Sequence, residues 1–354
     1  MLIAFAICIA CFFAMNIGAS GTAASMGAAY GGGAIKNRRL AVALCGIVAL
    51  LGALLGGGEV TKTISSGVIP ESIVDLPISV IIIASAALVL FISNKLGIPL
   101  STSEVAVGSL IGVGIVFKEI MLLKVLGIVT VWMILPVCAY WIAKLLGFAT
   151  KWLEQNFLKK HPAQKRIHKA LVVLLIFFGC YEAFAAGMNN VANAIGPLIA
   201  AGTISMNNGI ILGGLFLCLG AILLGGPVLE TNGKKITDLS LLEGSVVSFT
   251  SGSLVIIASI FGIPVPLTQA TTMSIIGVGS AKKREGSIWK NETVQKIIVV
   301  WIISPIIAMI GSYSLIHFFI FQSPFPLIIL LSSILYIITY KTLKMNDSVR
   351  LIKK

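Results

Sequence analysis

Apolar runs long enough to cross a bilayer recur along the whole chain, at 40–57, 76–94, 125–147, 170–187, 209–226, 294–320 and 325–340. Hydrocarbon offers the backbone no hydrogen-bond partner, so such runs are confined to helices, with about 20 residues per crossing. The longest polar stretch, "KWLEQNFLKKHPAQKRIHK" at 151–169, is too short to fold alone and reads as a cytoplasmic connector. The sequence therefore predicts an all-α multi-pass protein whose partner is the lipid bilayer.

Charge and cysteine usage narrow the class. The 26 Lys and Arg against 13 Asp and Glu give +13, which in a soluble protein would point to nucleic acid. Here the bases gather in loops, as retention of positive loops on the cytoplasmic side requires, and no nucleic-acid partner is expected. Cys8 and Cys11 lie in an apolar span without a second pair or a nearby His, so they read as packing residues and no metal site is expected. His161, His168 and His317 are scattered. The first apolar run lacks a positive leader and reads as a retained span. There is no nucleophile–base pair, phosphate-binding loop or cofactor motif, so neither an enzyme nor a cofactor is expected.

The chain is written twice. "GASGTAASMG" (18–27) matches "GMNNVANAIG" (187–196), 169 residues on. "LGALLGG" (51–57) matches "LGAILLGG" (219–226) with one residue inserted, and "LGIPLSTSEVAVGSLIGVG" (96–114) matches "FGIPVPLTQATTMSIIGVG" (261–279), 165 on. Collinear blocks at nearly constant spacing indicate a duplication. Loop charge gives the orientation of the copies. "KNRR" (36–39) follows the first block where copy two has the uncharged "TISMNNG" (203–209), and after the third block "FKEIMLLK" (117–124) stands against the more basic "AKKREGSIWK" (281–290). The contrast reverses, which predicts inverted-topology repeats with the N-terminus outside and the C-terminus inside. The expected division is a first repeat at 1–147, a basic cytoplasmic connector at 148–169, a second repeat at 170–320, and a terminal helix with a basic tail at 321–354.

Residues 1–35 and 170–204 would each span ~52 Å as one helix, against a ~30 Å hydrocarbon core. Each is expected to break at its Gly-rich block, and Pro99 and Pro264 are expected to end one helix and begin another in a re-entrant-type hairpin. Counting half helices gives about 11–12 membrane segments. Broken helices at matching places in inverted copies point to a substrate site at mid-membrane. Glu59 and Glu230, near span ends, read as structural carboxylates paired with Lys62 and Lys234.

At these blocks the chain resembles the inorganic phosphate transporter (PiT) family. "GMNNVANAIGP" (187–197) keeps all but two positions of the family signature GANDVANA, and "GGGEVTKTI" (56–64), "KKIT" (234–237) and the GIP block resemble later family segments. The resemblance implies an anion site at Ser20, Gly21, Thr22, Ser101, Thr102, Ser103, Asn189, Asn190, Asn193 and Thr268, and it implies a homodimer. The departures matter more. The signature aspartates are Gly21 and Asn190 here, and two family asparagines are Ser20 and Ala24. A short chain without these aspartates looks like the sulfate permease (CysP-type) branch.

Phosphate at neutral pH carries a proton that a carboxylate can accept. Sulfate carries none, so a site for it needs donors only. Amides, hydroxyls and helix N-termini provide them. Losing the aspartates also removes hard oxygen ligands for sodium, so protons are the expected coupling ion, carried by Glu104 or Glu182. The expected function is secondary active import of sulfate, with thiosulfate and other tetrahedral oxyanions as neighbouring substrates. A sodium- or proton-coupled phosphate transporter and a passive anion channel are the alternatives.

Overall fold

The computed structural model describes residues 1–157, 163–236, 238–282 and 289–332, and within these it is helical, without strands. The helices are α1 (Leu2–Ile17), continued by a π-helical turn Gly18–Thr22, α2 (Gly27–Gly31), α3 (Arg38–Gly56), α4 (Gly58–Ser66), α5 (Leu76–Lys95) and α6 (Thr102–Phe117). Then come α7 (Leu122–Asn156), α8 (Gln164–Ala200), α9 (Met206–Leu224), α10 (Gly226–Glu230) with a second π-helical turn Thr231–Lys235, α11 (Leu241–Ile260), α12 (Leu267–Lys282) and α13 (Glu292–Phe319). Among the described residues eight helices are long and apolar enough to cross a membrane. The 16-residue α6 and α12 are too short to do so alone. The predicted span at 325–340 and the basic tail lie largely outside the described residues, as do His161 and most of the loop at 281–290.

Local chemistry sets the helix ends. Asp75 caps α5 by accepting from the Ile78 amide at 2.8 Å, Ser101 caps α6 by accepting from the Glu104 amide at 3.2 Å, and Ser240 and Glu243 form a reciprocal cap at the start of α11. Each GIP block is a tight turn between two helices, α5–α6 and α11–α12. In both, the glycine adopts the left-handed backbone that side chains disfavour: Gly97 at φ +65° and Gly262 at φ +68°.

The two copies interlock by exchanging partners. Trp132 on α7 donates its indole N–H to the Pro264 carbonyl at 2.7 Å, and Trp301 on α13 donates to the Pro99 carbonyl at 3.2 Å. Thus each hairpin helix packs on the long Pro-containing helix of the other copy: α6 on α13 and α12 on α7. Glycines let the remaining cross-copy pairs approach. A Cβ on Gly18 would lie 2.0 Å from the Leu217 carbonyl oxygen of α9, and one on Gly187 would lie 1.9 Å from that of Ala49 on α3. Gly187→Ala is therefore expected to lower the thermal midpoint in detergent by several degrees, overpacking of this kind costing about 1–3 kcal/mol. Gly58→Ala, where a Cβ meets nothing within 4 Å, serves as the control. Equal midpoints for the two variants would mean that α3 and α8 part more easily than their spacing implies.

Three expectations are corrected. The Gly-rich block of copy one does break the chain, through the π-helical turn and the residues leading to α2, but the equivalent block of copy two lies inside an unbroken 37-residue α8. Its glycines serve close packing, and its asparagines find partners on other helices. The inserted residue between the second blocks also disappears: α3 and α9 are 19 residues each and end at the equivalent caps Gly57 and Gly225. Finally, Lys62 does pair with Glu59, at 2.6 Å, but Glu230 pairs with Arg38, at 3.0 Å. The π-helical turn after Glu230 carries Lys234 away, to lie 4.2 Å from the centre of the Tyr30 ring.

Candidate functional site

Asn189, Asn190 and Asn193 lie two-thirds of the way along α8, fully buried. Asparagine is a poor helix residue because its amide competes for backbone groups, so three of them here need partners from elsewhere. The tip of the first hairpin provides them. Thr102 donates its hydroxyl to Asn190 Oδ1 at 3.0 Å and Ser103 donates to Asn189 Oδ1 at 3.1 Å, while Asn193 Nδ2 donates to both hydroxyl oxygens at 3.2 Å. The second hairpin closes the other side: Asn189 Nδ2 donates to Ser259 Oγ at 3.0 Å, and the Val265 amide donates to Asn189 Oδ1 at 3.2 Å. The last contact has its mate in the other copy, where the Leu100 amide donates to Ser20 Oγ at 3.4 Å and Ser20 donates back to the Leu100 carbonyl at 3.2 Å.

The π-helical turn of copy one faces this cluster through Gly21. A Cβ there would lie 3.0 Å from Asn190 Nδ2 and 3.6 Å from Thr102 Cγ2, so only glycine leaves the space open. Among the described residues Asn190 Nδ2 and Asn193 Oδ1 have no partner, nor do the buried hydroxyls of Thr22 and Thr268. The amide cluster therefore joins Gly21, Thr102, Ser103, Asn189, Asn190 and Asn193 directly. Ser20 and Ser101 are engaged with hairpin backbone, holding its shape. Thr22 and Thr268 are buried nearby in sequence, on the π-helical turn and the first turn of α12. Because α8 is unbroken, the amide N–H groups of residues 189–193 are used within the helix. The helix N-termini near the site are those of α6 and α12, not the two that the breaks were expected to create.

Two carboxylates flank the cluster. Glu104, in the first turn of α6, accepts from Gln269 Nε2 on both oxygens, at 2.7 and 2.8 Å. These two residues occupy equivalent positions, 165 apart, so the copies meet each other at this bond. Glu182 lies two turns before Asn189 on α8, fully buried. Its Oε1 accepts from the Thr271 hydroxyl, and the hydroxyls of Ser248 and Ser251 on α11 also face the carboxyl group. Thr271 Oγ1 is also 3.1 Å from the Leu267 carbonyl, so one hydroxyl proton faces two acceptors. Gln269, Thr271 and Ser259 were not anticipated from sequence. Gln269 was open to detection, since it stands opposite Glu104 in the matched blocks.

With this geometry in place, comparison with known proteins is decisive on family. Residues 17–312 match the family described as the phosphate transporter family. The chain belongs to that family. A curated relative, the sulfate permease CysP of Bacillus subtilis, is 48% identical over 334 residues, covering 93% of this chain and 92% of the relative. Among solved structures, one described as the sodium-dependent phosphate transporter has the same fold, with a TM-score of 0.78 at 22% identity, covering 88% of this chain and 97% of the other. The protein is thus a multi-pass membrane anion transporter of this family and not an enzyme.

Proposed function

We propose that this transporter imports sulfate across the cytoplasmic membrane, driven by protons, with one anion bound at the amide cluster between the repeats. The observation that carries the reading is that Asn190 Nδ2, buried, unpartnered and facing Gly21, stands where the family signature has a carboxylate. The direct members of the cluster are Gly21, three amides and two hydroxyls, with no charged side chain among them. Such a set suits a dianion that only accepts hydrogen bonds. The 48% identity to a sulfate permease supports the same reading.

The mechanism follows from the two hairpins. Each tip reaches the amides of α8 or the serine of the π-helical turn and is anchored by a tryptophan of the opposite copy. Rocking of one repeat against the other would open the cluster first to one side and then to the other. The repeats run in opposite senses, with the N-terminus outside and the C-terminus inside, and the protein works as a homodimer. Glu182 carries the proton. When ionised it accepts from Thr271. When protonated it donates to Thr271 Oγ1, whose own proton turns to the Leu267 carbonyl at the start of α12. Glu104, bound to Gln269 where the copies meet, is the second carboxylate in the coupling path.

Reconstituted protein is expected to accumulate labelled sulfate under an inward proton gradient, with excess phosphate competing poorly and a sodium gradient giving no drive. Phosphate transport is the second reading, and Asn193 Oδ1 favours it: this unpartnered acceptor would take the proton of a phosphate. Full competition by phosphate together with sodium drive would establish that reading and end the first. Flux without accumulation against a gradient would establish a channel.

A further inference from the structure

The two ends of the molecule are built from equivalent residues and each has a buried apolar cluster, yet one of them also buries polar side chains where the other has aliphatic ones. Where a Cβ on Gly196 of α8 would meet Ile64 Cγ2 at 2.4 Å, a Cβ on Gly27 of α2 would meet Asn232 Cβ at 2.9 Å. Ile64 belongs to an aliphatic cluster with Val60, Val107 and Ala192. Asn232 is equally buried, but among the described residues neither its Oδ1 nor its Nδ2 has a partner. Nine buried hydroxyls among the described residues share this condition, and three of them lie on a set of adjoining elements that includes the turn of Asn232: Thr22, Ser25 and Thr272. By the spacing of the matched blocks their counterparts are Val191, Ala194 and Val107, all buried aliphatics.

These four positions belong to adjoining elements. Thr22 ends the π-helical turn of copy one and Ser25 lies between it and α2, which packs on the turn containing Asn232; α12, bearing Thr272, touches the π-helical turn. Buried polar groups without partners are costly, and four of them concentrated in one half imply an occupant in another phase of the cycle. The half concerned is the basic one. Arg38 bridges to Glu230, Lys234 covers Tyr30, and Lys282 binds Glu243 and the Asp238 carbonyl.

We infer that Thr22, Ser25, Asn232 and Thr272 form a second oxyanion site, a wetted transit station between the central amide cluster and the basic cytoplasmic mouth. The inference rests on the transporter reading of the central site and adds to it a place where the anion stops on its way in. Three hydroxyls and one amide donate hydrogen bonds without a fixed charge, so the anion is held loosely enough to leave. Arg38 and Lys282 are offset by Glu230 and Glu243, so Lys234, over the Tyr30 ring, is the cation that draws the anion outward from the centre. The opposite half has the aliphatic Ile64 and Val107 at the equivalent places, so the two access routes differ in a way that the duplication alone does not provide.

The test uses Thr272→Val, close to isosteric, and Asn232→Leu, in proteoliposomes. Equilibrium binding and sulfate–sulfate exchange are measured in parallel with labelled sulfate, and again with labelled phosphate. Binding within ~2-fold of the parent and exchange slowed ~10-fold or more are the expected results, about the worth of one lost hydrogen bond. Exchange at the parental rate in both variants overturns the transit site. So does loss of binding in step with exchange, which would assign these residues to the central site instead. If the parent protein binds and exchanges phosphate but not sulfate, the sulfate assignment fails on its own, and the transit site is judged on the phosphate exchange rates.

Discussion

Asn190→Asp is expected to reduce sulfate uptake by two orders of magnitude or more while leaving the protein folded. The substitution keeps the shape of the side chain and the oxygen that accepts from Thr102. It replaces the unpartnered Nδ2, which faces Gly21, with a second acceptor oxygen carrying negative charge. Two unit charges 4 Å apart interact by about 4 kcal/mol at an effective dielectric constant of 20, and each 1.4 kcal/mol is a factor of ten in affinity. Against a dianion the penalty exceeds that of the neutral Asn190→Ala, which removes a donor and is expected to cost about tenfold. Phosphate, which brings its own proton, should gain ground as a competitor in the aspartate variant. The check is sulfate binding with phosphate competition in both variants. If Asn190→Asp binds sulfate as tightly as Asn190→Ala, the donor argument for selectivity is wrong.

Much of this arrangement was legible in the sequence, because duplication and apolar periodicity are local properties of the text. The hairpins were marked by glycine and proline in equivalent places, and Gly97 and Gly262 do carry the same left-handed turn. What periodicity does not reveal is which helix meets which. The block at 187–196 looked like a break because the segment around it is too long for one crossing and the block is rich in small residues, three amides among them. They are tolerated because the tip of α6 brings Thr102 and Ser103 against them, a partnership 86 to 91 residues distant in the chain. The same blindness misplaced Glu230: Lys234 is four residues away along the chain, but the intervening π-helical turn rotates it off, and Arg38 at the start of α3 takes the carboxylate. The polar half of the molecule was invisible for a further reason. Asn232 and Ile64 are recognised as equivalents only through the glycine that packs on each, since the intervening alignment had absorbed a spurious insertion.

Glu182→Gln is expected to abolish the acceleration of sulfate uptake by an inward proton gradient, a loss of about tenfold or more if the coupling is worth at least 1.4 kcal/mol, while sulfate–sulfate exchange persists. The expectation follows from the hydrogen bonds available to the carboxyl group. Glu104 has both oxygens engaged by Gln269, whereas Glu182 faces hydroxyls only, those of Thr271, Ser248 and Ser251, which can accept from a protonated carboxyl group as well as donate to an ionised one. Protonation nonetheless changes a bond that matters. Thr271 can donate to Glu182 or to the Leu267 carbonyl, not to both, and Leu267 opens the helix whose first turn carries Thr268. A glutamine at 182 fixes the pairing in one state and removes the titration. Thr271→Val, which deletes the shared hydroxyl but keeps the carboxylate, should likewise uncouple uptake from the gradient. The position has no counterpart in the other copy, where Phe13 and Ala106 stand in place of Glu182 and Thr271 inside an apolar cluster. A buried carboxylate present in one repeat only makes the two halves of the otherwise two-fold machine inequivalent. Gradient-driven uptake that survives Glu182→Gln but fails in Glu104→Gln would transfer the role to the bond where the two copies meet.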